Sequence, residues 1–132
     1  MTRATGEAGG LGRLYRDGDI ITRQGDVGTC MFVVQSGQIE VVSERDGLEA
    51  VLRGASEGEV MGEMAIFDRE VRSATLRARG DARVLTLDKK NFLKRLHQDP
   101  SLAVRVIQTM STRVRELGDQ VARLQRDNLN GG

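Results

Sequence analysis

The chain has 132 residues, with 20 Lys and Arg against 19 Asp and Glu, one Cys, one His, no Trp and one Tyr. That length suits one domain around one core, the balanced charge demands no nucleic acid, and a single Cys30 excludes an intrachain disulfide. One His with one Cys excludes the common zinc arrangements, the few aromatics offer little for stacking single-stranded bases, and no apolar run suits a membrane span or signal peptide, so the expected location is the cytoplasm.

Residues 1–12 are rich in glycine and small polar residues, too poor in apolar surface to offset the entropy of ordering, and are expected to form a flexible leader. From Leu14 onward, short β-type runs such as Met31-Phe32-Val33-Val34 and Ile39-Glu40-Val41-Val42 are separated by turn signals. These are Asp17-Gly18-Asp19, Gln24-Gly25-Asp26, Ser36-Gly37-Gln38, Arg45-Asp46-Gly47, Glu57-Gly58-Glu59 and Arg79-Gly80-Asp81. Their nearly regular spacing predicts a small sandwich or barrel of short strands. Cys30, on a predicted strand, reads as a core residue rather than a nucleophile.

The stretch from Val60 to Leu76 carries the chemistry. Gly62 permits close backbone approach, the residues after it suit a short helical turn whose free N–H groups favour an anion, and Arg72 precedes a strand. Glu63 would repel a phosphate unless the ligand also brings a hydroxyl that needs an acceptor. A sugar phosphate satisfies both Glu63 and Arg72. A cyclic phosphodiester keeps one negative charge, and the planar guanidinium can fork onto two of its oxygens.

These residues, Met61-Gly62-Glu63-Met64-Ala65-Ile66 followed by Arg72-Ser73-Ala74-Thr75, closely resemble the phosphate-binding cassette of the cyclic nucleotide-binding domain family. The family pattern is an apolar residue, Gly-Glu-[Leu/Met]-Ala-[Leu/Ile], a short variable stretch, then Arg-x-Ala-[Ser/Thr]. The resemblance implies that Arg72 pairs with the exocyclic phosphate oxygens and that Glu63 accepts from the ribose 2′-hydroxyl. It also implies that backbone N–H groups around Ala65, Ser73 and Ala74 complete the phosphate cradle, with Gly62 and Met64 of the same motif counted among the ligand-binding residues. Gly18-Asp19, Gly25-Asp26, Met31-Phe32-Val33-Val34 and Ser36-Gly37 fall at signature positions of the same fold and are read as setting turns, not as touching ligand. The fold it implies is mainly β with C-terminal α: a β-roll or jelly-roll (double-stranded β-helix) barrel with a short cassette helix and a long C-terminal helix.

After the cassette, Ala74, Leu76 and Ala78 alternate with Thr75, Arg77 and Arg79, which predicts one buried and one wet face, and a further strand over 82–87 is expected to close the sheet. Asp88 can cap a helix from Lys89 to about His97 with Phe92, Leu93 and Leu96 as its apolar stripe. His97 near its end reads as a surface or capping residue. Asp99 as N-cap with Pro100 at the first position starts the last helix. Ala103, Ile107, Met110, Val114, Leu117, Val121 and Leu124 follow in steps of four and three, a heptad seam with Asn128 at the next a position. β-Branched a and leucine-like d residues favour a parallel homodimer, although the same helix can instead pack on its own roll. The organisation expected is a leader over 1–12, a β-roll over 13–88 carrying the cassette at 60–76, and C-terminal helices over 89–128.

In the catabolite-activator branch of the family, a Thr-Ser pair on the long helix contacts adenine, and the resemblance places Leu117-Gly118 there. Neither can hydrogen-bond a base. Leu117 is then either an apolar cap on the base or only a seam residue. The leading expectation is a non-enzymatic, cytoplasmic sensor that binds a cyclic nucleotide, cAMP in preference to cGMP, as a homodimer that signals through its last helix to an unknown downstream protein. No cofactor, metal or catalytic residue is expected, and turnover of the ligand is not. One alternative is a ligand-independent dimerisation scaffold with a degenerate pocket, using an arginine face of Arg105, Arg113, Arg115, Arg123 and Arg126 toward an acidic partner. Another is the sensor fragment of a catabolite-activator-like regulator. No residues after Gly132 remain for a helix-turn-helix, so the chain as given is expected not to bind DNA.

Overall fold

The protein is described by a computed structural model covering residues 11–131, so the expected leader lies outside the described residues except for Leu11 and Gly12. Gly12 belongs to the roll: its N–H donates to Gln35 Oε1 at 2.6 Å and its carbonyl accepts from Arg83 Nη1 at 2.8 Å. Eight strands, β1 (Arg13–Tyr15), β2 (Ile20–Thr22), β3 (Val27–Gly28), β4 (Met31–Arg45), β5 (Leu48–Ala55), β6 (Val60–Met61), β7 (Glu70–Val71) and β8 (Thr75–Leu87), form a β-roll. The helices are α1 (Met64–Phe67), α2 (Lys89–Gln98) and α3 (Ser101–Gly131). The main sheet runs β1-β8-β4-β5, with β2 on β8 and β6 on β4, and β3 pairs with β7 in a separate ribbon. The sheet does not close on itself as a barrel would.

β4 and β8 are the spine, paired antiparallel from Met31↔Leu87 to Val42↔Thr75. Two of the six expected turns are absent as turns: Ser36-Gly37-Gln38 lies within β4 and Arg79-Gly80-Asp81 within β8. They are kinks instead. The register shifts between Val34 and Ser36 and again between Ser36 and Gln38, opposite Arg79 to Arg83, so the two strands bend together. Gly37 has φ +80°, and a Cβ there would strike the Asp81 carbonyl oxygen. The separate strand expected over 82–87 is therefore the second half of β8.

Both faces of this spine are buried at the end where Met31 pairs with Leu87 and Val34 with Val84. Phe32, Val34, Ile39, Val41, Leu76, Ala78 and Val84 fill the inside of the roll, whereas Met31, Val33, Leu85 and Leu87 point outward under Phe92, Leu102 and Val106 of the helices. This explains why Met31-Phe32-Val33-Val34 is apolar at every position rather than alternating. Thr75, expected on the wet face, is 2% exposed because its hydroxyl accepts from the Gln24 N–H at 2.9 Å.

Asp88 caps α2 by accepting from the Asn91 N–H at 2.8 Å, and Phe92 is its buried anchor, with Leu96 half-buried and Leu93 exposed. Asp99 accepts from both the N–H and the hydroxyl of Ser101 and from Arg105 Nη2 at 2.7 Å. The Ser101 hydroxyl, with Arg105 behind it, holds the Asp99 carboxyl below its ordinary value. α3 is fastened to the roll by Leu102, Val106 and Met110, spaced by four, and burying the first two stabilises by about 1.5–3 kcal/mol each. Cys30 is half-buried in the link before β4, not on a strand.

Candidate ligand-binding site

A cavity of about 460 Å³ opens between the roll, the cassette and α3. Gly62, Glu63, Arg72, Ser73 and Ala74 line it, and so do Leu52 and Arg53 of β5 and Thr109, Thr112, Arg113 and Glu116 of α3. Met64, Ala65 and Leu117, also singled out in the sequence, are not among the lining residues. In α1 Met64 is half-buried and Ala65 buried, and the Ala65 N–H is donated to the Gly62 carbonyl at 3.1 Å. Leu117 is 54% exposed on α3.

The cassette folds as its residue types demand. Gly62 has φ +71°, which only glycine adopts readily, and a Cβ on it would lie 2.7 Å from Arg72 Nη1. Gly28 of β3 is equally constrained: a Cβ there would overlap the Arg72 guanidinium. The two glycines leave a slot that the guanidinium fills. Its Nη2 donates to the Cys30 carbonyl at 2.6 Å, and the Phe32 ring lies 5.1 Å from its Cζ. Arg72 Nε is buried without a hydrogen-bond partner, and Arg72 makes no ion pair among the described residues. Burial pulls its pKa below the ordinary value, with Cys30 and Glu70 opposing. Arg72 is half-buried overall, and its buried Nε–H is a charged donor left without an acceptor. The amides of Ser73 and Ala74 have no acceptor among the described residues, and both residues line the cavity.

Glu63 is 2% exposed and begins the turn into α1. Its Oε1 accepts from Arg113 Nη1 at 3.4 Å. This partner was not foreseen. The expected outward arginine face does not exist as one surface, because Arg113 turns to Glu63 while Arg105 binds Asp99 and reaches the Gly58 carbonyl at 3.4 Å. Gly28, Phe32 and Arg113 were all missed, since each meets the cassette through long-range packing that no local pattern announces. His97 is exposed in the last turn of α2, remote from the cavity lining. Among the described residues no group of three or more His, Cys, Asp or Glu could hold a metal ion, and no helix is long and apolar enough to cross a membrane.

The sequence profile of the cyclic nucleotide-binding domain matches residues 13–99. The cAMP-dependent protein kinase regulatory subunit of Blastocladiella emersonii is 37% identical over 83 residues, which are 62% of this chain and 21% of that protein. The cyclic AMP receptor protein of Thermus thermophilus is 32% identical over 105 residues, 79% of this chain and 49% of that protein. The crystal structure of the Thermus thermophilus catabolite activator protein matches with a TM-score of 0.73 at 31% identity, covering 86% of this chain and 54% of that one. The chain thus spans between about a fifth and about a half of the length of these relatives.

Proposed function

The chain belongs to the cyclic nucleotide-binding domain family, and from that premise we propose that it is a non-enzymatic, cytoplasmic sensor whose cavity binds a ribose 3′,5′-cyclic phosphate. Arg72 takes the phosphate, the Ser73 and Ala74 amides complete the cradle, and Glu63 accepts from the 2′-hydroxyl. The observation that carries this reading is the state of Arg72: desolvated, slotted between two glycines, and left with a buried Nε–H that has no partner. Leaving such a group unsatisfied costs about 1–3 kcal/mol, which an anion's oxygen recovers.

cAMP is the proposed ligand over cGMP. In the family a threonine directly after the cassette arginine often favours guanine, whereas Ser73 is common among binders of cAMP. Two of the relatives are named for cAMP. Calorimetric titration with both nucleotides tests the choice, and cGMP binding ten times tighter would reverse it. In the same titration Arg72→Ala is expected to leave a folded protein but to cost about 3–5 kcal/mol of binding, because a phosphate charge is left buried and unpaired. Unchanged affinity would remove Arg72 from the site.

A second feature of the same reading is a homodimer through α3, by which ligand state passes to a downstream partner. Ile107, Val114, Leu117, Val121 and Leu124 are each more than half exposed at heptad spacing, a stripe that a second helix would cover. Leu117 is assigned to that stripe. Ligand can shift the arrangement of α3 only by binding two arrangements unequally, so the dissociation constant of the dimer should change when cAMP is added.

A further inference from the structure

We infer that Gln24 is a positioning residue for Arg72, an inference that rests on the phosphate role proposed above. Inside its glycine slot the guanidinium makes one hydrogen bond, to a carbonyl, and meets one aromatic face. How far its fork reaches into the cavity depends on where the backbone of residue 72 holds the base of the side chain, and binding geometry tolerates errors of only a fraction of an ångström.

That backbone is gripped from both sides by the loop between β2 and β3. The Gly25 N–H donates to the Arg72 carbonyl at 2.9 Å, and the Arg72 N–H donates to the Asp26 carbonyl at 2.7 Å. Within this loop Arg23, Gly25 and Asp26 are exposed, and Gln24 alone is half-buried. Its N–H donates to Thr75 Oγ1 at 2.9 Å. Its side-chain amide donates from Nε2 to the Glu44 carbonyl at 2.9 Å and accepts at Oε1 from the Glu44 N–H at 2.8 Å. This is the two-bond exchange of a paired residue in an antiparallel ladder, made here by a side chain. Glu44 in turn is registered against Glu49 of β5, and its carboxylate accepts from Thr75 Oγ1 at 3.4 Å. Gln24 thus ties the loop that holds Arg72 to the far end of β4 and the start of β8.

The test is a double-mutant cycle on the full chain, with cAMP affinity read by calorimetry and, for weak variants, by NMR titration. Gln24→Met keeps the length of the side chain and removes both bonds to Glu44. It is expected to weaken binding by about tenfold in the wild-type background and by less than about twofold in Arg72→Ala. Gln24→Glu sets a carboxylate oxygen against the Glu44 carbonyl in place of the donor, and should weaken binding at least as much as Gln24→Met. In the nucleotide-free protein, hydrogen exchange of the Arg72 Nε–H should quicken in Gln24→Met, while that of Arg77, paired with Glu40 elsewhere, does not. Equal losses in both backgrounds with an unchanged Arg72 Nε–H would overturn the inference and leave the phosphate role standing. A wild-type protein that binds no cyclic nucleotide overturns the phosphate role, and the exchange measurement then decides by itself whether Gln24 positions Arg72.

Discussion

Arg113 Nη1 lies 3.4 Å from Glu63 Oε1, so the carboxylate at the head of the cassette is held by a cation from the last helix. The pair has a dry end and a wet one: the Glu63 side chain is 3% exposed and that of Arg113 46%. In the proposed role, Glu63 would divide its oxygens between Arg113 of α3 and the ribose hydroxyl.

Arg113→Ala leaves the Glu63 carboxylate buried without that partner. The expected loss is about 1 kcal/mol of folding stability, below that of a fully buried pair because water already reaches Arg113. Urea unfolding reads it. A variant as stable as the wild type would mean that the pair contributes nothing in solution.

If Glu63 accepts from a ribose 2′-hydroxyl, 2′-deoxy-cAMP should bind the wild-type protein about tenfold more weakly than cAMP or worse, because the buried acceptor loses its donor. In Glu63→Met, which keeps the length of the side chain but has no oxygen acceptor, the two ligands should differ much less. Equal discrimination by both proteins would place the hydroxyl elsewhere.

Gly28→Ala probes the slot that holds the guanidinium. The backbone of β3 is not in the left-handed region at this position, so alanine adds no strain there, but its methyl overlaps Arg72 and must displace it. Circular dichroism should remain native while cAMP affinity falls by more than about tenfold, the direction expected when a charged hydrogen-bond donor is moved off its acceptor. Full affinity in this variant would show that the slot yields.

Val114→Glu places a charge in the middle of the exposed stripe at a residue 69% exposed. Folding of the roll should be unaffected, whereas sedimentation equilibrium should show the wild-type dimer replaced by monomer. A monomeric wild-type protein at high micromolar concentration would remove the dimer reading altogether.

Much of the fold is legible in the sequence, and the failures have physical causes. Four of the six glycine signals lie in turns between strands, but Gly37 and Gly80 mark kinks, because a positive φ suits a bulge inside a paired strand as well as it suits a turn. The caps of α2 and α3 were readable from Asp88 and Asp99, since capping is local. The anchors of α3 were not: Ala103, Ile107 and Met110 drew the eye to the seam, while Leu102 and Val106, at a spacing of four, were passed over and carry the packing. At the site, Gly62, Glu63, Arg72, Ser73 and Ala74 were found because they lie in one short ordered motif. Gly28 and Arg113 were not, for they reach Arg72 and Glu63 from 44 and 50 positions away in the chain.

Every apolar residue that fastens α3 lies in its first ten positions, and from Ser111 onward no described side chain of the helix is buried. If α3 carries ligand state, as proposed, it acts as a lever with its fulcrum against the roll. At 1.5 Å of rise per residue the free arm is roughly 30 Å long, so a tilt of about 10° at the anchor would carry its tip by roughly 5 Å. Arg113 sits just past the fulcrum, on the short side of that leverage. In such a lever a sub-ångström displacement where Arg113 meets Glu63 would emerge at the tip several times larger.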